Sequence, residues 1–477
     1  MSKDNYGLDP ERPTANAAVR SADGSGHVDP ALEFVPDTSN PVGAAAYLRS
    51  TQAIRERAAA LLARARRGDS QWFTIGGEGT LDDTARAVAE VTRERYPHHG
   101  IPYHSRWRHF EAGGVSRVDE LDRLLESVGP GKVNARQRAR ARIDLVLVSV
   151  LLDAGAGPDW HYNEPATGKR FTRSEGLGIA SFHAFTSGLF SSDPERPLQV
   201  DSAGLRGLVT DRLGDAFQVS RVNPLVGLTG RAMLLRRLGE AMHEQPGVFG
   251  DDGRPGGLFD ALVGPYGPAA PPTAEVSAHE ILSLLLDSLS GIWPASNAID
   301  SIAADGSDQT GSIGAMGSGD PAFALGDCWR HSAVQGPGLT NGWMPFHKLS
   351  QWLTYSLLEP FEWAGVKVRH LEALTGLPEY RNGGLLIDSG VIVPRDAAFL
   401  ERTWKAGDEF IVEWRALTVA LLDELAPRVR KVLGRSADEL PLARVLEGGT
   451  WAAGRTLAQR LRDGAPPLRI ESDGTVF

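Results

Sequence analysis

The stretch from Asn134 to Ala154 constrains the fold more than any other part of this chain. It reads NARQRARARIDLVLVSVLLDA, a basic first half followed by an almost unbroken apolar run that ends at Gly155. A segment that is apolar on all sides must be buried, as a central helix or as an inner strand. We favour a buried central helix.

Apolar side chains recur at helical spacing in several other segments. The predicted helices are Val42–Arg67, Gly230–His243, Ala278–Ser290, His347–Trp363 and Glu409–Leu433. Short strands are predicted near Gln71–Ile75 and Val391–Pro394, and the sequence shows neither alternating βαβ units nor internal repeats. The pattern predicts a mainly α protein, a multi-helix bundle with a few short strands.

The length of 477 residues exceeds the size that one hydrophobic core usually reaches, so we expect separate lobes. Residues 1–40 are polar, lack an apolar period and predict a disordered N-terminal arm. We expect an N-terminal helical lobe over 41–215 and a C-terminal helical lobe over 216–477. Stretches rich in Gly, Pro and Ser predict long loops around 250–272 and 303–321.

The charge balance and the cysteine content exclude several classes of function. With 50 Lys and Arg against 60 Asp and Glu, the net charge of −10 repels polyanions, so we expect no nucleic-acid partner. The single cysteine, Cys328, excludes internal disulfides and multi-cysteine zinc sites. We find no apolar span of membrane length and no P-loop, GxSxG or HExxH motif, and we expect a cytoplasmic protein without membrane contact.

The motif YHSRWRHFEAGG, Tyr103–Gly114, combines aromatic and basic side chains. Alternation over six residues predicts an extended segment that presents its arginines on one face, with His104 and Arg106 among the basic residues. Arginine forks on one face can bind a phosphate. The alternative is a structural cluster in which these arginines pair with carboxylates of the chain.

The motif DAGAGPDWHYNE, Asp153–Glu164, follows the buried helix and projects Asp153, Asp159, Trp160 and Tyr162 from a turn stiffened by Gly and Pro. An aromatic face and a carboxylate that accepts N–H bonds would hold a planar polar ligand. The alternative is an ordinary capped helix end.

Charged groups also mark two helices. His347 and Lys348 open one helix, where a cation opposes the helix dipole unless an anion, such as a bound phosphate or carboxylate, offsets it. Glu413 and Arg415 lie beside the apolar stripe of another helix. There we favour an internal Glu–Arg lattice that fixes helix packing over direct ligand contact.

The stretch LTGLPEYRNGGLLIDSG, Leu374–Gly390, places Glu379, Tyr380 and Arg381 before a double glycine. Its residue types favour a tight turn between two short helices, as in a helix-hairpin-helix element. A carboxylate in a partly desolvated pocket can also stabilise an oxocarbenium-like transition state and activate water.

Taken together, these motifs resemble the uracil catabolism protein 4 family, formerly a domain of unknown function, over about residues 41–477. The resemblance also rests on FSSD, NPLVGLTGRAMLLRRLG, LGDCWRH, PFHKLSQWLTYSLLEPFEWAG, EWRALTVALLDEL, LEGGTWAAGR and the terminal SDGTVF. It implies a place in a uracil breakdown route that passes through a ribosylated urea and releases urea.

A second set of segments is similar, in its order, to the queuosine-nucleotide glycosidase family. The set is Pro224–Arg231, the His347–Lys348 pair, the Glu379–Arg381 triplet and a Glu-x-Arg helix. That similarity implies a helix-hairpin-helix glycosylase-like core with the acid of the triplet at the glycosidic bond. This chain has Glu379 where that family usually has Asp.

The two resemblances imply an N-glycoside hydrolase that cleaves ribosylurea, expected as its 5′-phosphate, into urea and ribose phosphate. Glu379 and Asp159 are the predicted catalytic residues. The predicted substrate-binding residues are Trp160, Tyr162, His347, Lys348, Tyr380, Arg381, Glu413, Arg415, His104 and Arg106. This chemistry requires no metal or organic cofactor, and the expected partner is a small nucleoside-like or nucleotide-like substrate.

Two other functions are compatible with the same fold. One is a helix-hairpin-helix-type glycosylase of nucleic-acid bases, which the net charge disfavours. The other is a non-catalytic protein that binds an intermediate of the pathway.

Overall fold

The computed structural model describes residues 36–77, 79–98, 100–128, 133–264, 274–293 and 324–471. Most of the predicted arm 1–40, the predicted loop 303–321, part of the predicted loop 250–272 and the terminal SDGTVF therefore lie outside the described residues. Helices dominate the described part, so the prediction of a mainly α protein is confirmed. The helix-hairpin-helix core stays a prediction.

The helices are numbered in chain order. They are α1 Pro41–Leu48, α2 Thr51–Arg66, α3 Thr80–Arg95, α4 Trp107–Phe110, α5 Arg117–Val128, α6 Ala135–Leu151, α7 Arg173–Thr186, α8 Ser202–Arg206, α9 Thr210–Ala216, α10 Leu228–His243, α11 Pro246–Phe249, α12 Gly257–Val263, α13 Ala278–Leu289, α14 Lys348–Trp363, α15 Tyr380–Asp388, α16 Glu409–Leu433, α17 Leu442–Val445 and α18 Trp451–Arg462. A π-helical turn, Leu446–Thr450, joins α17 to α18.

The strands are short and form two-stranded pairs in the described part of the chain. They are β1 Phe73–Ile75, β2 His161–Glu164, β3 Lys169–Thr172, β4 Glu275–Ser277, β5 Cys328–Arg330, β6 Trp343–Pro345, β7 Lys367–Arg369, β8 Ile392–Pro394, β9 Thr403–Trp404 and β10 Arg469–Ile470. The pairs β1–β8, β2–β3 and β5–β6 are antiparallel, and β4–β7 and β9–β10 are parallel. The two predicted strands, now β1 and β8, pair with each other.

The apolar run forms the buried helix α6, as predicted. Asn134 caps it, because its side chain accepts the backbone N–H of Gln137 while the Gln137 side chain accepts the N–H of Asn134. Every residue from Ile143 to Leu151 is buried. α6 packs against α14, and α2 packs against α16. Helices of the two predicted lobes thus contact each other, and the division at 215/216 stays a prediction.

Two local predictions were wrong. The predicted helix Val42–Arg67 is two helices, because the Ser50 side chain accepts the N–H of Ala53 and so starts a new helix after α1 ends. The Tyr103–Gly114 segment is not extended, since it forms the short helix α4. Its alternation reflects burial of aromatic rings at helical spacing, not the two faces of a strand.

One large hydrophobic cluster runs through the described chain from Ile54 to Leu468. A smaller cluster joins α1 to the β5–β6 pair and contains Cys328, which is fully buried. The cysteine therefore acts as a small apolar core residue. The N-termini of α14 and α15 and the C-terminal end of α6 carry the charged residues discussed next.

Candidate active site

Glu379 caps the N-terminus of α15. Its carboxylate folds back, so that Oε2 accepts the backbone N–H of Arg381 at 2.7 Å and Oε1 accepts that of Asn382 at 2.6 Å. The residue is only 9% exposed. Burial raises the pKa of Glu379, although the two N–H bonds and the charge of Lys348 offset part of the rise. The result is a buried carboxylate of fixed orientation, with lone pairs still available.

Lys348 opens α14 and acts on the same carboxylate. Its side chain is partly exposed, and its ammonium group has no hydrogen-bond or ion-pair partner among the described residues. Burial lowers the pKa of Lys348, while the nearby carboxylates of Glu379, Asp327 and Asp153 act in the opposite direction. A cation with three available N–H donors is suited to bind hydroxyl or phosphate oxygens.

A buried ion pair joins the segments that carry Lys348 and Glu379. Asp327 accepts two guanidinium N–H groups of Arg415 at 2.7 Å each, and it also accepts the backbone N–H of Lys348 at 3.0 Å. Arg415, on α16, is fully buried, and its Nε donates to the carbonyl oxygen of Pro378 at 3.4 Å. Burial opposes the ionisation of Asp327, but Arg415 outweighs it and holds the pKa well below its usual range. The protein itself thus supplies an anion at the start of α14.

Asp153, just after α6, contributes another carboxylate. It pairs with Arg106 at 2.9 Å, and the fully buried Arg106 also donates to the Ser149 hydroxyl at 2.7 Å. Burial acts to raise the pKa of Asp153, but the charge of Arg106 outweighs it and lowers the pKa. Burial and the same arginine lower the pKa of His109 to about 4, so His109 is neutral at pH 7. Arg106 is therefore engaged by a carboxylate of the chain, as the pairing alternative expects.

Arg231, the end of the Pro224–Arg231 segment, fixes the turn that carries Asp153. Its guanidinium group donates to the carbonyl oxygens of Leu152, Ala154 and Gly155, the last two at 2.9 Å each. Leu152 is the C-cap of α6, whose last C=O groups have no partner within the helix, and Ala154 and Gly155 follow it in the turn. The arginine thus holds the C-terminal end of α6 in place.

His104 belongs to the same neighbourhood. Its Nδ1 lies 2.9 Å from Oε2 of Glu447, and the charge of His104 is one of the groups that lower the pKa of Glu379. Glu447 lies in the π-helical turn. In that turn Thr450 donates its hydroxyl hydrogen to the side-chain oxygen of Asn382 at 2.8 Å, which ties the turn to the first turn of α15.

Tyr380 acts electrostatically on the same group of charged residues, since Glu379 and Asp153 both influence its pKa. The residue is 36% exposed, yet burial and the charge of Glu379 raise its pKa to about 12. Lys348, Asp153 and His109 also keep exposed surface, while burial is the largest influence on their pKa values. Side chains that reach solvent but are surrounded by protein are typical of a narrow cleft. We call the site formed by these residues the Glu379 recess; its members are Asp153, His109, Lys348, Glu379 and Tyr380.

The predicted site residues Asp159, Trp160 and Tyr162 have no described contact with the Glu379 recess. Asp159 is exposed, and no described contact links it to the Glu379 recess. Trp160 is 1% exposed and donates its indole N–H to the Phe217 carbonyl at 3.0 Å, so its ring could stack on a ligand only after moving. Tyr162 is buried against His183, with ring centroids 5.9 Å apart. Their predicted roles, catalytic for Asp159 and substrate-binding for Trp160 and Tyr162, stay predictions.

His347 and Arg381 contact the backbone of other segments. His347 is buried, and its Nε2 lies 2.8 Å from the Leu48 carbonyl oxygen. Arg381 is also buried and donates to the Gly464 carbonyl at 3.2 Å. Both side chains therefore support packing in this structure, and their predicted contact with ribose or phosphate stays a prediction.

Glu413, like Arg415, is engaged inside the protein. It accepts the hydroxyl hydrogen of Ser70 and lies 3.2 Å from Nε2 of His331. Glu413 and Arg415 are thus both engaged inside the protein, but each has its own partners, and the described contacts include none between the two.

Sequence reasoning missed Asp327 and Glu447. Both are single acids next to apolar residues, in LGDCWRH and LEGGTWAAGR, and neither stands in a recognisable catalytic pattern. The available signal was their presence in the motifs that carry the family resemblance. Their partners are distant in the sequence, so the sequence alone does not pair them.

The part of the chain that the structure describes contains neither a candidate metal site nor a candidate membrane span. No group of three or more His, Cys, Asp or Glu side chains there is arranged to hold a metal ion. No helix of those ranges is both long and apolar enough to cross a bilayer.

Comparison with known proteins identifies relatives along nearly the whole chain. A protein from Lachancea kluyveri named "Uracil catabolism protein 4" is 36% identical over 468 residues, which covers 92% of this chain and 99% of that protein. "Protein urg3" from Schizosaccharomyces pombe is 38% identical over 439 residues, or 91% of this chain and 98% of that protein. The family described as "Protein of unknown function (DUF1688)" matches residues 47–477. The chain therefore belongs to the DUF1688 family, and one of its relatives is named for uracil catabolism.

Proposed function

We propose that this protein is an N-glycoside hydrolase of uracil degradation that cleaves ribosylurea, or its 5′-phosphate, into urea and ribose or ribose phosphate. The name of the Lachancea kluyveri relative supports a role in uracil degradation. The observation that carries the chemical part is Glu379, a buried carboxylate that is fixed by two backbone N–H groups and interacts electrostatically with the partly exposed Lys348 and Tyr380.

The geometry of Glu379 suits cleavage of an N-glycosidic bond. Breaking the bond from C1′ to nitrogen generates an oxocarbenium-like transition state, which a fixed carboxylate in a low-dielectric site stabilises. The same carboxylate can accept a proton from the attacking water, and its raised pKa strengthens it as a base. The fixed orientation matters because no reorganisation is then needed at the moment of reaction.

Lys348 and Tyr380 supply binding groups beside this carboxylate. The ammonium group of Lys348 has no described partner, so it is available to ribose hydroxyls or to a 5′-phosphate. Tyr380 exposes part of its ring and keeps its hydroxyl protonated at neutral pH, so that it can donate a hydrogen bond. Asp153 can accept N–H groups from the substrate.

The test is to incubate the purified protein with ribosylurea and with its 5′-phosphate and to measure urea release. We expect turnover of at least one substrate, and a loss of at least about 100-fold in kcat for Glu379→Gln, since general acid–base groups contribute about 10²–10⁴-fold. Glu372→Gln is the matched control, because Glu372 is an exposed glutamate on the same connection before α15.

Absence of urea from both substrates would refute the proposal. The alternative of a non-catalytic binding protein would be favoured if calorimetry showed that ribosylurea binds without turnover, with equal affinity for the unmodified protein and Glu379→Gln.

A further inference from the structure

We propose that His104 is a catalytic residue of the glycosidase reaction, the general acid that protonates the departing urea, and that Glu447 positions it. The proposal rests on the proposed function and assigns the half of the reaction that Glu379 leaves open. Urea is a poor leaving group as an anion, so its departure requires a proton donor.

The structure fixes the His104 ring in one orientation. The backbone N–H of His104 donates to the Ala443 carbonyl at 2.9 Å, and the ring Nδ1 lies 2.9 Å from Glu447. The side chain of His104 is 12% exposed, and its ring also contacts Trp451, with centroids 6.2 Å apart. A carboxylate behind one ring nitrogen fixes the ring and its tautomer and directs the other nitrogen away from that carboxylate.

Glu447 is itself held firmly. Its Oε1 accepts hydrogen bonds from the Arg95 guanidinium group at 3.1 Å and from the Tyr96 hydroxyl at 2.9 Å. Burial opposes its ionisation, but the hydrogen bond from His104 and the charge of Arg95 outweigh it and lower the pKa of Glu447 to about 2. Glu447 is thus a carboxylate at any physiological pH and can stabilise a positively charged imidazole.

The second ring nitrogen of His104 remains available to a substrate. Nε2 has no hydrogen-bond partner among the described residues. A polar atom without a partner is either buried or exposed, and Nε2 is not among the buried ones, so it keeps contact with solvent. The imidazole acts electrostatically on both Glu379 and His109, which line the Glu379 recess. In contrast, Nε2 of His347 is engaged by a backbone carbonyl.

His104 and Glu379 together complete a balanced reaction. The protonated His104 carries hydrogen on both nitrogens, and Nε2 gives its proton to the ureido nitrogen as the bond from C1′ to that nitrogen breaks. Water forms the new bond from oxygen to C1′ and gives its proton to Glu379. Urea and ribose or its phosphate leave, and exchange with solvent returns the proton from Glu379 to His104.

The experiment compares leaving groups. Ribosylurea, or its phosphate if that is the better substrate, needs a protonated leaving group, whereas 4-nitrophenyl ribofuranoside releases a stable anion without one. We expect His104→Gln to lower kcat/KM on the urea substrate by at least about 100-fold and on the nitrophenyl substrate by less than about 5-fold. Glu447→Gln should show the same dependence with a smaller loss, while Glu379→Gln should lose activity on both.

His183→Gln is the matched control, because His183 forms a similar pair with Glu164 at 2.8 Å and no described contact links that pair to Glu379. Melting temperatures of all variants separate misfolding from loss of catalysis. Equal losses on the two substrates, or nearly unchanged urea release in His104→Gln, would overturn the assignment of His104. Absence of urea release by the unmodified protein would instead refute the proposed function.

Discussion

Replacing Asp327 by Ala tests whether the Asp327–Arg415 pair holds the recess together. The substitution leaves the fully buried Arg415 without its carboxylate, and breaking a buried ion pair on one side costs about 3–5 kcal/mol. Unfolding entropy of roughly 2.1 cal/mol/K per residue over about 440 residues gives about 0.9 kcal/mol/K. The expected fall in melting temperature is therefore about 3–5 °C.

The assay is a calorimetric or fluorescence melt at pH 7, run beside urea release. Glu275→Ala is the matched control, because Glu275 also makes a two-point contact with an arginine, Arg369, but both side chains are about half exposed. An exposed pair contributes at most about 1 kcal/mol, so the control should melt within about 1 °C of the unmodified protein.

A double variant sharpens the test. Arg415→Met added to Asp327→Ala removes the remaining buried charge, so part of the lost stability should return. The reasoning fails if Asp327→Ala melts like Glu275→Ala, or if the double variant is less stable than the sum of the two single changes predicts.

Two other predictions concern pH and packing. Burial raises the pKa of Glu359 to about 7, so the folded protein binds this proton more tightly than the unfolded chain does. About 3 kcal/mol of stability that is present below pH 4.5 is therefore lost as the pH rises through 7. Glu359→Gln should flatten the dependence of the denaturant midpoint on pH between pH 5 and 8, and an unchanged slope would contradict this. In Gly383→Ala the new Cβ would clash with the Trp414 ring, so we expect the free energy of unfolding to fall by about 1–3 kcal/mol. In Gly384→Ala the new Cβ would lie 3.2 Å from a proline side chain, so the fall should be smaller. Chemical denaturation of both variants compares the two losses, and equal losses would contradict the packing argument.

Local periodicity predicted several of the longer helices, because the apolar residues that bury one face of a helix recur at short spacing in the sequence. α6 and α16 were predicted from their apolar patterns, and α16 begins and ends at the predicted residues Glu409 and Leu433. The strands near Gln71–Ile75 and Val391–Pro394 were also predicted, but their pairing joins segments about 320 residues apart, with Thr74 opposite Val393. The sequence offers no signal for a partner at such a distance.

Only those residues of the candidate site that lie in motifs resembling known families could be predicted from the sequence. Glu379 and Lys348 came from motifs that resemble known families, whereas Asp327 acts through Arg415, 88 residues away, and its role appears only after folding. Trp160 was expected to stack on a ligand because it follows a Gly/Pro turn. In the fold the backbone of Phe217 satisfies its indole N–H, and a ring in a polar motif becomes part of the core.

The π-helical turn Leu446–Thr450 makes the chain length between α17 and α18 a constraint in its own right. A π turn holds one residue more than an α turn, so deleting one residue would close it into a regular α turn, whereas inserting one would rotate everything after it by about 100° around the helix axis. Gly449 already lies so close to Val88 and Thr92 that an added Cβ would clash with both. A single-residue insertion should therefore be tolerated far less here than a single-residue deletion, and a scan of both kinds of change through Leu446–Thr450 would show the difference.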